Sequence, residues 1–445
     1  MKVLHVPYCY FPDPVGGTEI YVQALAREQQ RMGFEVEIAA PAPDNCAYEH
    51  DGILVRRFGG SPNITLRQLY GEGDPTSAEN FVNFALAGRP DLLHLHSFTA
   101  SVSTKLVLAV KRLGVPVVFT YHTPTVTCSR GTLLHFGEKV CNGAVSTAKC
   151  SACNLHAHGL PGPVARTLAA LPNGIAHLAS PLLTTITPKF RTAIEMPELI
   201  ELRIRAARTL FREVDHIVAV CEWIKSLLIA NDVPEAKVTM ARQGLPQVQQ
   251  SMRNSSPLPP SPLRLAFLGR LSENKGIEML ADAVLRADAN VTLDVYGVAQ
   301  DAEGAAIQQR LKDLSLRSSR VQLLPPVKSG DVVGALTKYH MLAVPSQGLE
   351  TGPLVVYEAF AAGLPVLGSN LGGIAEIVAN GSDGILVRHD DLREWVLAIE
   401  SLASNPRLVA SLAANVTSPR TMAHVARDMA AVYHSVFAPV PVSVH

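Results

Sequence analysis

Two carboxylates and two cations in the last third of the chain have the types and spacing to do chemistry. The stretch "ETGPLVVYEAFAAG", residues 350–363, carries Glu350 and Glu358 eight positions apart. Pro353 suits the first position of a helix, where its missing N–H costs nothing, and Gly352 frees the entry turn. The amides of Leu354 and Val355 then fall among the unpaired donors of a first helical turn, a site for an anionic phosphate. Glu358 lies about a turn and a half further on and leans back toward the N-terminus. A carboxylate there suits neutral hydroxyls beside the phosphate, and Glu350 could meet hydroxyls on the other side. Upstream, "FLGRLSENKG" sets Arg270 and Lys275 in the loop after a strand, where two cations can converge on one pyrophosphate. A pyrophosphate flanked by polyols is the shape of a nucleotide sugar. The plainer alternative is a set of solvated loop charges.

The first half of the chain holds a second group. His94, His96 and His122 stand at the ends of apolar strands, "DLLHLH" and "VPVVFTYH", and Gly16 and Gly17 follow the first strand. Alternation puts His94 and His96 on one face, which suits packing behind a site as well as a place within it. Beyond His122, Cys128, Cys141, Cys150 and Cys153 fall within 26 residues. Their closing C-x-x-C pair and ligand count fit a closed tetrahedral zinc site, with an iron–sulfur cluster as the alternative. His156 and His158 could replace one thiol, and free thiols in a loop are the plain reading. Cys9, Cys46 and Cys221 read as ordinary buried thiols.

These residues must be held by strands and helices that alternate twice along the chain. "KVLHV", the helix "GGTEIYVQALAREQQRMG", "EVEIAAP", "DLLHLH" and "VPVVFTYH" imply a parallel sheet with helices on both faces. The alternation resumes with "LRLAFLG", "VTLDVYG", "VQLLPPV", "MLAVPS", "LPVLGS" and "GILV". Sheets of this kind bind ligands at the carboxyl ends of their strands. The Pro- and Ser-rich stretch at 247–262 reads as a linker. It separates an acceptor-side domain, 1–246, from a donor domain, 263–418, with a cleft between them, and 419–445 forms a C-terminal helix and tail. In "MPELIELRIRAARTLFREVDH", Arg205, Arg208 and Arg212 line one helix side, a solvated face or a dock for an anionic membrane surface.

Composition narrows the function classes. The 445 residues carry 39 basic and 39 acidic side chains, so no net positive field favours nucleic acid. Charged residues are 18% against a usual ~25%, and a compact interior is expected. The N-terminal apolar run is interrupted at Pro7 and no stretch reaches the ~18 apolar residues of a spanning helix, so the expected location is the cytoplasm, at the inner face of the membrane if the arginine stripe docks there.

With "PSQGLETGPLVVYEAFAAGLPVLGSNLGGIAE", "FLGRLSENKG", the glycines at 16–17 and the strand-end "TYH", the chain resembles the retaining glycosyltransferases of family 4, which have the two-domain GT-B fold. The resemblance runs from Met1 to about residue 415. It implies that Glu358 binds ribose hydroxyls, that Glu350 contacts the donor sugar, and that Arg270 and Lys275 hold the diphosphate. It also implies that His122 lies at the reacting centre and that the loop at Gly16 and Gly17 passes the donor phosphates. The implied reaction moves a hexose-type sugar from a UDP- or GDP-sugar to a carbohydrate or lipid-linked acceptor, attacking from the face the nucleotide leaves. Two cations do the work of a catalytic metal, so none is expected. Gly352 and Pro353 stand where the family usually has Phe-Gly. The competing readings are a GT-B epimerase or phosphorylase, and an idle nucleotide-sugar sensor or scaffold.

Overall fold

The computed structural model describes residues 1–13, 16–171, 188–246 and 261–437. The chain divides into two compact units, Met1–Ala241 with the residues from Val425 onward, and Arg242–His424. The proposed linker falls almost wholly outside the described residues.

The first unit contains β1 (Lys2–Val6), β2 (Glu35–Ala42), β3 (Cys46–His50), β4 (Ile53–Gly59), β5 (Leu92–Leu95), β6 (Val117–Tyr121), β7 (Leu134–His135), β8 (Lys139–Val140), β9 (His216–Ala219) and β10 (Val238–Met240). Eight of them form one sheet in the order β10-β9-β6-β5-β1-β2-β4-β3, and β7 and β8 pair as a separate hairpin. All neighbours in the large sheet are parallel except β3 and β4. That edge hairpin was not anticipated, although "DG" at its turn is a hairpin signal, with both Asp51 and Gly52 at positive φ. It also corrects the reading of Cys46, which is exposed on the edge strand, and Cys9 is half-buried; Cys221 is buried as expected.

The second unit contains β11 (Leu263–Arg270), β12 (Val291–Val298), β13 (Val321–Leu323), β14 (Met341–Val344), β15 (Val366–Ser369) and β16 (Gly384–Val387), the six strands anticipated. They pair in parallel in the order β13-β12-β11-β14-β15-β16. Along β11, Leu263, Leu265 and Phe267 pack with Trp395 and Ile399 in one cluster, while Ala266 joins Leu342, Val344 and Phe360 in another. Both faces are covered, as a parallel sheet requires. Strand order reverses between β11 and β14, and the loops that leave those two strands open the crevice where such sheets take ligands.

The helix Met422–Phe437 runs from the end of the second unit into the first, where Tyr433 is fully buried. Arg205, Arg208 and Arg212 are exposed on the helix Pro188–Glu213, and two are paired, Arg205 with Glu201 and Arg212 with Glu213. Arg203 points the other way, buried over the Phe98 ring at 4.9 Å and hydrogen-bonded to the carbonyl of Thr125.

Candidate functional site

The second unit collects its predicted residues at the switch point. Arg270 is the last residue of β11 rather than part of the loop, and its side chain is exposed. Lys275 ends the short 3-10 turn Glu273–Lys275, and Glu350 lies in the loop after β14. The spacing did not show that these two meet: Lys275 Nζ lies 2.6 Å from Glu350 Oε1, with Ser346 Oγ donating to the same oxygen at 3.0 Å. Burial pushes the Glu350 carboxyl up, but Lys275, Ser346 and Arg270 together hold it below the usual carboxylate range.

Two glycines bring the loops that close. A Cβ on Gly276, which has φ +66°, would sit 2.0 Å from the Pro345 carbonyl oxygen, so only glycine lets the Lys275 turn lie against the Glu350 loop. A Cβ on Gly373 would sit 2.5 Å from the Gly352 nitrogen, and the Gly373 amide donates to the Glu350 carbonyl at 2.7 Å. Gln347 completes the stitching, its amide reaching the Asn274 carbonyl at 2.8 Å and its Nε2 donating to Pro345 and His389 carbonyls. Gly276, Gly373 and Gln347 were not singled out as functional from the sequence.

The helix Leu354–Ala361 begins one residue later than expected, with Pro353 at the N-cap and not in the first helical position. Leu354 and Val355 are therefore its first two residues, and their amides have no carbonyl one turn back to bond. Glu358 projects from the middle of the helix. Among the described residues its carboxylate has no hydrogen-bond or ion-pair partner, and burial raises its pKa to about 7. A desolvated carboxyl with no partner, one helix turn inside the element that follows the Glu350 loop, is a candidate for binding a ligand's hydroxyls.

The first unit places His122 at the end of a buried polar chain. The β1–β5 register pairs His5 with His94, and the β5–β6 register pairs His94 with Val118. Period-two alternation then puts His96, Thr120 and His122 on the same face. The contacts run Gln29 Oε1–His5 Nε2 at 2.7 Å, His5 Nδ1–His96 Nε2 at 2.9 Å and His96 Nδ1–His122 Nε2 at 3.0 Å. A second arm runs from Gln29 Nε2 to Tyr433 Oη at 2.9 Å, Tyr433 to His94 Nδ1 at 2.7 Å and His94 Nε2 to Thr120 Oγ1 at 2.7 Å.

One amide orders every proton in this chain. With the Gln29 oxygen toward His5, His5 must carry its proton on Nε2 and accept on Nδ1. His96 then donates from Nε2 and accepts on Nδ1, and His122 carries its proton on Nε2. On the other arm Gln29 Nε2 donates to Tyr433, Tyr433 donates to His94 Nδ1, and His94 donates to Thr120. Each link has one proton, so charging His5, His94 or His96 breaks a link. Burial works in the same direction, holding His5 near 4 and His122 near 3, with His94 and His96 also far below an ordinary histidine. The ring nitrogens of His5, His94 and His96 lie within 4.8 Å of one another, but all six already serve these hydrogen bonds, which is how a satisfied core looks and not a vacant metal site. His5, Gln29 and Tyr433 were missed from sequence. Tyr433 is 404 residues from Gln29 and carries no local signal.

Gly16 caps the helix Gly17–Arg31, its amide bonded to Glu19 Oε2 at 2.9 Å, and Gly17 is the first helical residue. Gly16, Gly17 and His122 belong to the first unit. Arg270, Lys275, Glu350, Leu354, Val355 and Glu358 belong to the second.

Two doubly wound units with strand-end sites constitute the GT-B fold, and solved glycosyltransferases share it. Sucrose-phosphate synthase from Thermosynechococcus elongatus superposes with a TM-score of 0.67 at 18% identity, covering 98% of this chain and 99% of that one. HepE from Anabaena, solved in complex with UDP, gives 0.64 at 15% identity over 98% of this chain and 100% of its own. Residues 15–149 match the sequence model "Glycosyltransferase Family 4" and residues 262–405 match "Glycosyl transferases group 1". The chain is a glycosyltransferase of the family 4 type. The D-inositol 3-phosphate glycosyltransferase of Rhodococcus jostii (strain RHA1) is 27% identical over 419 residues, covering 90% of this chain and 79% of the relative. That of Nocardia farcinica (strain IFM 10152) is 28% identical over 403 residues, covering 87% and 77%. Among the described residues no helix is long and apolar enough to cross a membrane.

Proposed function

We propose that the chain transfers a hexose-type sugar from a UDP- or GDP-sugar to a hydroxyl acceptor with retention of anomeric configuration. The observation that carries this reading is the Lys275–Glu350 pair at the switch point of the second unit, followed in the same loop-and-helix segment by the unpartnered, desolvated Glu358 carboxyl. Glu358 takes the ribose hydroxyls, the first-turn amides of Leu354 and Val355 and the side chains of Arg270 and Lys275 take the diphosphate, and Glu350 takes the donor sugar. With both glutamates engaged in binding, no carboxylate of the motif is left to form a covalent glycosyl intermediate. Same-face displacement follows: the acceptor oxygen bonds to the anomeric carbon as the bond to the diphosphate breaks, and a departing phosphate oxygen receives the acceptor proton. The two cations stabilise the charge growing on that phosphate. His122, neutral and protonated on Nε2, is assigned to the reacting centre, and Gly16 and Gly17 to the passage of the donor phosphates. The names of the relatives favour a phosphorylated cyclitol as acceptor over the carbohydrate or lipid-linked acceptor expected from sequence, with the product entering polysaccharide or glycoconjugate synthesis.

Binding of the donor should depend on pH through Glu358. A carboxylate accepts hydrogen bonds from two ribose hydroxyls most strongly when ionised, so a group with its pKa near 7 binds ribose more weakly at pH 6 than at pH 8. Donor affinity is expected to rise roughly tenfold across that interval, because the ionised fraction rises by about that factor. Calorimetry of a UDP- and GDP-sugar panel in buffers of different ionisation enthalpy should show most of one proton released near pH 6.5. The Glu358→Gln variant should bind more weakly and without this pH dependence. Unaltered affinity and an unaltered profile in the variant would remove Glu358 from the site.

A further inference from the structure

The cysteine-bearing excursion after His122 plays no part in the reading above. It leaves β6 through the turn at Pro124–Val126, makes the hairpin of β7 and β8, and enters the helix Thr147–Ala157. Cys128 follows the turn, bonded through its amide to the Pro124 carbonyl at 2.8 Å. Cys141 follows the hairpin, its amide 2.7 Å from the Leu133 carbonyl. Cys150 and Cys153 are one turn apart on the helix and share a face. All four cysteines line one cavity of about 30 Å³, as do Arg130 and Lys149.

We infer that this cavity is a structural metal site in which Cys128, Cys141, Cys150 and Cys153 hold a single tetrahedral zinc ion. Four independent features converge on it. Four cysteines from three separate pieces of backbone line one small space, the ligand count of a closed zinc site. The cavity exceeds the ~15 Å³ that one water-sized occupant needs, which is room for a single ion. Ligand hydrogen bonds are already in place, since Cys153 Sγ accepts from the Phe136 amide and from Arg130 Nη1, both at 3.3 Å. Such outer contacts stabilise thiolate ligands. Charge also balances: a zinc ion with four thiolates carries two negative charges, and Arg130 and Lys149 supply two positive ones.

The local fold gives a reason for a staple. β7 and β8 are two residues each, and β8 is exposed. A pairing that short is not stable by itself. Among the described residues no three of the four sulfurs lie within 4.8 Å of one another, so an ion would draw hairpin and helix inward as it bound. Binding requires four thiolates and so releases protons, which makes the site weaker at acid pH.

The test is metal analysis of the full chain, produced with zinc supplied and freed of loose metal by gel filtration. About one zinc per chain is expected, retained in the Cys46→Ser control and lost in Cys150→Ser and in Cys128→Ser. Replacing zinc by cobalt should produce the absorption of a tetrahedral thiolate site, a readout that does not require a stable variant. Stripping the metal should lower Tm by several degrees, because an ion that binds only the folded chain stabilises it. A folded, metal-free protein with four alkylatable thiols, or with those cysteines joined as disulfides, would overturn the site. None of these readouts uses donor or acceptor, so the inference stands or fails apart from the proposed reaction.

Discussion

Arg270→Ala is expected to lower kcat by about two to three orders of magnitude while leaving donor affinity within a few-fold, because removing one preorganised partner of developing charge costs about that much. The residue ends β11 with its side chain exposed, so truncation opens no hole in the core and the variant should fold like its parent. Its guanidinium also contributes to holding Glu350 ionised, but Lys275 makes the direct contact and stays. In the proposed complex the ground-state phosphate keeps Lys275 and the first-turn amides of the Leu354–Ala361 helix. Charge on the phosphate grows only as the glycosidic bond breaks, so the loss should fall on turnover. Arg270→Lys should recover part of the rate, since a point charge replaces the charge but not the two-pronged geometry. Steady-state kinetics beside donor-induced thermal stabilisation separate the cases. A raised KM with unchanged kcat would contradict the assigned role.

The second large effect concerns stability against acid. His5, His94, His96 and His122 are buried and neutral, each with its pKa below the ordinary 6.5. The unfolded chain takes up protons on these rings below pH 6.5 and the folded chain does not, so ΔG of unfolding falls as pH falls. Stability is fully present above about 6.5 and drains away toward the folded values, about 4 for His5 and about 3 for His122. Four such rings together cost about 5 kcal/mol between pH 7.5 and pH 5.5, a large share of a typical domain's stability. Denaturant unfolding across that range should show close to four extra protons bound by the unfolded state at pH 5.5. His96→Asn should be less stable at pH 7.5 yet have a shallower pH slope, by about one proton. A flat profile in the parent would mean that the rings are charged in the fold.

Much of this protein was legible in its sequence. The strand pattern of both sheets follows from apolar runs of four to eight residues separated by helical periodicity. The candidate donor residues follow from the types found where strands end. Glu350, Glu358, Arg270 and Lys275 could be named because phosphate and hydroxyl recognition require such groups near strand ends and a helix start, and those positions are set by neighbours in sequence. The cysteine spacing was equally plain as a candidate. The edge hairpin of β3 and β4 was missed although its Asp-Gly turn is a local signal. The exposure of Cys46 follows from its place on that edge strand.

By itself the sequence determined the two parallel sheets and the types of group at their carboxyl ends, because periodicity and turn chemistry act over a few residues. Only the tertiary structure decided who meets whom. It brought Lys275 onto Glu350 across 75 positions, using the missing side chain of Gly276 to let two loops touch. It carried Tyr433 from the far end of the chain to Gln29 and His94, completing a proton order that runs through His96 to His122. It gathered four cysteines around one small cavity. Close approach between distant segments depends on the summed packing of both sheets and their helices, and no local pattern encodes that sum.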